Sequence, residues 1–148
     1  MKLSAHFTLE EFTTSETAER RRIDNSLPPE LLNAAQNTAE MMERIRAVLG
    51  DLPITVTSGY RSPEVNRAIG SADTSDHPKA AAVDFKCPAF GTPKEIALHL
   101  ADKIDSLGIG QLIYEFSSWV HVSTRRPLKD VNRVITIDQT GTRAGIVS

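Results

Sequence analysis

The stretch TSDHPKAAAVDF, residues 74–85, joins a polar loop to a predicted strand and carries His77 and Asp84. Successive side chains in a strand point to opposite faces. Val83 and Phe85 therefore share the expected core face, and Asp84 lies on the other face beside alanines, which leave room for a metal or a ligand. The spacing alone leaves two interpretations open, half of a metal site or two unrelated polar residues.

A second predicted strand, WVHVS, divides in the same way. Val120 and Val122 point to the core, so Trp119, His121 and Ser123 share the opposite face. If both strands belong to one sheet, this histidine and the aspartate of the first strand lie on the same face, and the loop histidine can fold over it. Two neutral imidazoles and one carboxylate are a standard ligand set for catalytic zinc.

The elements around these strands predict an α+β fold, with a small antiparallel sheet and flanking helices. Apolar residues at three- and four-residue steps indicate helices over residues 29–49 and 93–107, and a capped short helix follows Ser62. A capping box is predicted at Thr8 and Glu11. Strands are predicted at residues 53–58, 80–87, 109–116, 119–124 and 134–137.

The 148 residues suit one domain, with a motif core at about residues 53–123 and a weakly patterned tail at 124–148. A net charge of −2 argues against a nucleic-acid partner, and the single cysteine, Cys87, excludes a disulfide framework within the chain. The N-terminal residues lack the apolar stretch of a secretory signal, and no run of 18 apolar residues occurs. We expect synthesis in the cytoplasm without a signal peptide and no membrane insertion.

Three motifs occur in a familiar order: SGYRS at residues 58–62, SDHPKAAAVD at 75–84 and IYEFSSWVHVS at 113–123. Together they resemble the zinc peptidases of the D-Ala-D-Ala carboxypeptidase family, which includes D,D-dipeptidases and phage L-Ala-D-Glu endolysins. That family shares its fold with lysostaphin-type peptidases and the hedgehog signalling domain. The resemblance spans about residues 7–123 and implies a hedgehog/DD-peptidase-like α+β fold with bound Zn²⁺.

The resemblance implies a role for each matching residue. His77, Asp84 and His121 match the three zinc ligands of the family. Arg61 matches an arginine that lies beside the substrate carbonyl and stabilises the charge developing on its oxygen, a role that suits a permanently charged guanidinium. Ser75 matches a serine that hydrogen-bonds the substrate near the metal.

Two positions depart from the family pattern. Ala80 stands where the family usually has glycine; its methyl group is tolerable in extended backbone but not where φ is positive. The family commonly places an acid or a histidine two or three residues before the last ligand, whereas this chain has Trp119 and Ser118 there. The nearest candidate for the general base is Glu115.

Strand pairing tests this candidate. If Glu115 lies opposite Trp119, a three-residue loop at 116–118 joins the strands, and Glu115 shares the face of His121. A two-residue turn would place the carboxylate on the core face, where an unpaired charge is costly. We therefore predict the three-residue loop, with Glu115 taking a proton from the attacking water and passing it to the leaving amine.

Four further residues have no role as a metal ligand or a general base in this interpretation. Trp119 either binds substrate as a groove wall or packs against the protein. Asp76 is a loop acid or, as the alternative, a partner that orients His77. His6 and His99 are assigned to surface, structural or packing roles.

The function predicted from these observations is zinc-dependent hydrolysis of a peptide bond in a peptidoglycan stem peptide. A phage or prophage endolysin, acting as a monomer on the wall after release, is the leading hypothesis. A non-catalytic, zinc-stabilised binding or virion structural module is the alternative, and the absence of an acid immediately before His121 keeps this alternative open. A cytosolic D,D-dipeptidase is a third possibility.

Overall fold

The computed structural model describes residues 1–147 of the chain. Six strands form one mixed sheet in the order β1–β2–β4–β3–β5–β6. The strands are β1 (Thr55–Ser58), β2 (Ala82–Lys86), β3 (Gln111–Glu115), β4 (Trp119–Ser123), β5 (Val134–Asp138) and β6 (Gly141–Ala144). The helices are α1 (Leu9–Thr13), α2 (Glu16–Arg21), α3 (Leu32–Val48), α4 (Pro63–Ala68), α5 (Pro93–Ala101) and α6 (Ile104–Leu107).

The core lies on one face of the sheet. Val83 in β2 and Val122 in β4 are fully buried there, in one apolar cluster with Met42 of α3 and Ile96 of α5. Burial of one strand face against helices is the architecture that the alternating pattern predicts, and the α+β class is confirmed. The opposite face of β2, β3 and β4 is left to carry the polar residues.

One strand pairing departs from the antiparallel sheet that we expected. β5 runs parallel to β3, with Ile113 opposite Ile135, and β6 then pairs antiparallel with β5. The Arg133 side chain, just before β5, bridges the two strands at this end, since it donates hydrogen bonds to the carbonyl oxygens of Ile109 (2.8 Å) and Gly110 (3.0 Å) just before β3. Two strands therefore come from the region that the sequence pattern left as a tail.

Two helices also differ from expectation. The helix predicted over residues 93–107 is broken after α5, because Asp102 leaves helical geometry and the Lys103 ammonium bonds the carbonyl oxygen of His99 at 2.7 Å. The helix α2, which Ser15 caps, lies in a segment where the sequence pattern predicted no helix. The predicted capping box at Thr8 and Glu11 is present. Within residues 1–147, every helix falls short of the length or the apolar character that crossing a bilayer requires.

The chain approaches itself closely where Gly59 follows β1 and meets α1. A β-carbon at Gly59 would lie 2.6 Å from the carbonyl oxygen of Phe12 and 2.8 Å from its Cα. The next residue, Tyr60, donates its amide to the same oxygen at 2.6 Å. Only glycine fits here without movement of α1 or β1.

Gly59→Ala is expected to lower the free energy of unfolding by about 1–3 kcal/mol, because overpacking against backbone cannot be relieved by a side-chain rotation. Thermal unfolding followed by circular dichroism measures the effect. Gly91→Ala is the control, since the nearest neighbours of its new methyl group would be side-chain atoms of Glu95 and not backbone. Equal melting temperatures for the two variants would contradict the close-approach argument.

Candidate metal centre

The antiparallel pairing of β2 and β4 brings the two predicted strand ligands together. Asp84 lies directly opposite His121 in the register, and both side chains leave the core face. Asp84 Oδ1 is 2.8 Å from His121 Nδ1. Both residues are 7% exposed. Alternation along two neighbouring strands therefore produces a buried carboxylate–imidazole pair.

His77 completes the group from a short 3-10 turn, His77–Lys79, that precedes β2. Its Nδ1 lies 2.6 Å from the carbonyl oxygen of Gly59. Because a carbonyl oxygen only accepts, Nδ1 carries the proton and Nε2 presents a lone pair. This Nε2 is buried, makes no hydrogen bond and lies 3.3 Å from Asp84 Oδ1.

These atoms fit a divalent metal ion. The ligand atoms of His77, Asp84 and His121 all lie within 4.8 Å of one another. A buried imidazole lone pair that faces a carboxylate oxygen is an unfavourable contact between two acceptors, and a cation between them would relieve it. Two neutral imidazoles and a carboxylate suit zinc and leave a fourth coordination position open. The Gly59 carbonyl orients His77 in the way typical of metal-ligating histidines.

Burial and mutual contact shift the pKa values of all three groups. Burial lowers the pKa of His77, although Asp84 partly opposes this shift. Burial disfavours ionisation of Asp84, but the positive charge and hydrogen bonds that His77 and His121 supply when they are protonated outweigh it and hold the pKa of Asp84 far below the ordinary value. Burial also disfavours the charged form of His121, yet its contact with Asp84 and the charge of Glu115 raise its pKa. The raised pKa widens the pH range in which His121 is protonated in the metal-free protein, and a metal that binds there must displace this proton.

Zinc affinity is expected to fall as pH falls through the raised pKa of His121. Below that pKa each zinc ion must displace a proton, so affinity drops by about tenfold per pH unit for one displaced proton. Above it the affinity levels off. Isothermal titration calorimetry in buffers of different ionisation enthalpy measures both affinity and proton release. An affinity that stays constant between about pH 8 and pH 6 would show that His121 is not a ligand.

Glu115 occupies the position that the hairpin argument predicted. It lies opposite Trp119, with a three-residue loop between them. Phe116 and Ser117 in this loop adopt left-handed backbone conformations, with φ of 52° and 55°. Glu115 Oε1 is 3.5 Å from His121 Nδ1. Burial raises the pKa of Glu115, and the nearby His121 reduces the shift. A carboxylate with a raised pKa beside a metal group is suited to accept a proton near neutral pH.

The remaining predicted site residues line the same cleft, which has a volume of about 1050 Å³. The Arg61 guanidinium is partly buried, and its Nε lacks a hydrogen-bond partner. Burial lowers the pKa of Arg61, and Asp84 and Glu115 oppose this shift. The hydroxyl of Ser75 accepts the His77 amide at 3.3 Å, and Trp119 borders the cleft beside the hairpin loop. The cleft thus contains the whole candidate set.

Ala80 adopts the conformation that its methyl group disfavours, with φ of 55°. A left-handed non-glycine residue costs roughly 1–2 kcal/mol. The surroundings hold this conformation, because the Thr38 hydroxyl donates to the Ala80 carbonyl oxygen at 2.8 Å and the Ala80 amide bonds the His77 carbonyl oxygen at 3.1 Å. The methyl group itself is buried.

The Asp76 carboxylate is not the hydrogen-bond partner of the His77 ring, which the sequence suggested as an alternative. The Gly59 carbonyl bonds that ring at 2.6 Å, and the Asp76 carboxylate instead accepts a hydrogen bond from Ser123 at 2.7 Å. Sequence reasoning missed the supporting roles of Gly59, Thr38 and Ser123. Gly59 lies within the SGYRS motif, but a backbone carbonyl that meets a residue 18 positions away leaves no local signal in a sequence.

Comparison with known families agrees with this geometry. The model of the family described as Peptidase M15 matches residues 5–123 of the 148-residue chain. The matched region begins before α1 and ends with β4, so it contains every candidate site residue. A search of curated proteins found no match.

Proposed function

The chain belongs to the peptidase M15 family, a family of zinc metallopeptidases, and we propose that it hydrolyses a peptide bond in the stem peptides of bacterial peptidoglycan. One observation carries the proposal: a buried group of His77, Asp84 and His121 shares a cleft with the Glu115 carboxylate, 3.5 Å from His121 Nδ1. A metal centre that only stabilises the fold does not need an open cleft or an additional acid beside it.

The cleft suits a peptide that extends beyond the reacting bond. Its volume of about 1050 Å³ is at the upper end of the range for small-molecule sites, and it runs from the hairpin loop to the start of α2. A free dipeptide would fill only part of this space. This is the reason to prefer a wall polymer over a free D-Ala-D-Ala substrate.

The proposed mechanism assigns one role to each residue. His77, Asp84 and His121 would hold zinc, which supplies Lewis-acid polarisation of a carbonyl and lowers the pKa of a water molecule. Glu115 Oε1 accepts a proton from the attacking water and returns it to the leaving amine nitrogen. The Arg61 guanidinium stabilises negative charge on the carbonyl oxygen.

Two further residues orient the substrate in this proposal. The Ser75 hydroxyl accepts the His77 amide and can still donate its own proton to a peptide carbonyl. Trp119 offers an apolar surface beside Glu115. These contacts would hold the reacting bond near Glu115.

We propose a phage or prophage endolysin as the biological setting. The enzyme would be made in the cytoplasm and act on the wall as a monomer once the membrane is permeabilised. Purified peptidoglycan, incubated with the protein and assayed for new amino groups, tests the activity. The proposal expects release that stops with a zinc chelator and returns on adding zinc. Chelator-sensitive binding to the wall without release would instead support the non-catalytic module, and hydrolysis of free D-Ala-D-Ala alone would support a dipeptidase.

A further inference from the structure

The turn that carries His77 begins with Asp76, whose backbone and side chain both make contacts. The Asp76 carbonyl oxygen accepts hydrogen bonds from the amides of Lys79 (3.1 Å) and Ala81 (3.2 Å), which close the turn. Its carboxylate extends away from the turn toward β4. Asp76 is thus fixed relative to the next residue, His77.

The partner of this carboxylate is Ser123, the last residue of β4. Ser123 is fully buried, and its hydroxyl donates to Asp76 Oδ2 at 2.7 Å while accepting the Arg125 amide at 3.1 Å. Because Ser123 is two residues after His121, both side chains lie on the same face of the strand. A hydroxyl with both hydrogen bonds in place cannot rotate without breaking one of them.

The Asp76–Ser123 hydrogen bond connects the two chain segments that carry the candidate ligands His77 and His121. His77 follows Asp76 along the chain, and His121 shares the face of Ser123, so the Asp76–Ser123 bond links the turn of one ligand to the strand of the other. The backbone provides a second link further along, where the Thr124 amide bonds the Ala81 carbonyl oxygen at 2.9 Å.

We propose that the Asp76–Ser123 hydrogen bond positions His77 relative to His121. Asp76 and Ser123 are then positioning residues for the metal centre. The inference rests on the proposed function in one respect, that the three-residue group binds zinc. Asp76 acts through its bond and not as a ligand, since its carboxylate already faces Ser123 and, at 3.8 Å, Arg125. The ion pair with the half-exposed Arg125 adds little to this positioning.

Zinc affinity of the purified protein, titrated with zinc alone by calorimetry, tests this inference. Asp76→Ala and Ser123→Ala are each expected to weaken binding by about 10–100-fold, the usual effect of losing a residue that supports a ligand. The double variant should bind no more weakly than the weaker single variant, because both changes break the same bond. The visible spectrum of the cobalt-substituted protein should change in the same variants.

Asp76→Asn separates the hydrogen bond from the charge. Its amide oxygen still accepts from Ser123, so its affinity should remain within about threefold of wild type. Asp73→Ala, which changes an exposed acid in the same loop, is the matched control and should bind as wild type does. Wild-type affinity in both alanine variants would overturn the inference, and so would an Asp76→Asn variant as weak as Asp76→Ala.

These measurements use no substrate. A wild-type protein that binds zinc but releases nothing from peptidoglycan would count against the proposed function and leave the positioning result intact. A loss of thermal stability in the zinc-free variants, without a change in zinc affinity or in the cobalt spectrum, would show a structural role and overturn the inference.

Discussion

His121→Ala is expected to abolish hydrolysis of peptidoglycan. The change removes one of three candidate ligands and leaves Asp84, which is buried, without its closest partner at 2.8 Å. Lewis-acid catalysis is worth several kcal/mol, and at about 1.4 kcal/mol per factor of ten its loss lowers the rate by about a thousandfold or more. The assay measures the amino groups that the variant releases from peptidoglycan, and the zinc affinity of the same variant is measured in parallel.

The matched control for this variant is His6→Ala. His6 is exposed, contacts Glu43 at 2.7 Å and does not border the cleft. The His6→Ala variant should hydrolyse peptidoglycan and bind zinc as the wild-type protein does. A His121→Ala protein that retains wild-type zinc affinity and activity would refute the assignment of His121.

Glu115→Gln is expected to lower turnover by about 10²–10⁴-fold while zinc stays bound. Glutamine keeps the size of the side chain and its contacts near Trp119, but it cannot accept the proton of the attacking water. The effect should appear in kcat more than in KM, because the carboxylate acts in the reaction and not in substrate binding. Steady-state kinetics on a soluble stem peptide separate the two parameters.

Glu30→Gln is the control for this variant, since Glu30 is an exposed acid before α3 that does not border the cleft. The Glu30→Gln substitution should leave both kcat and KM unchanged. Normal turnover by Glu115→Gln with zinc bound would remove Glu115 as the general base and leave the chain without an identified proton acceptor.

Much of the candidate site could be predicted because strand alternation is a local rule. The period of two placed Asp84 and His121 on one face, and the register between β2 and β4 sets them opposite each other. The same rule, combined with the cost of burying an unpaired carboxylate, predicted the three-residue loop and the position of Glu115. The capping box of α1 was also visible in the sequence.

What the sequence could not reveal depends on contacts between distant residues. The left-handed backbone of Ala80 is held by Thr38, which lies 42 positions away. The parallel pairing of β5 with β3 is accompanied by side-chain contacts of Arg133 with the segment before β3. Such contacts leave no periodic pattern, so the antiparallel sheet was the natural but incomplete expectation.

The most direct test of the central claim is a mass spectrum of peptidoglycan fragments released by the purified protein, with and without a zinc chelator. Zinc-dependent peptide hydrolysis predicts fragments that have gained one water and a new amino terminus at a single stem-peptide bond, and that disappear with chelator. Fragments with intact stem peptides, or the same cleavage in the presence of chelator, would contradict it.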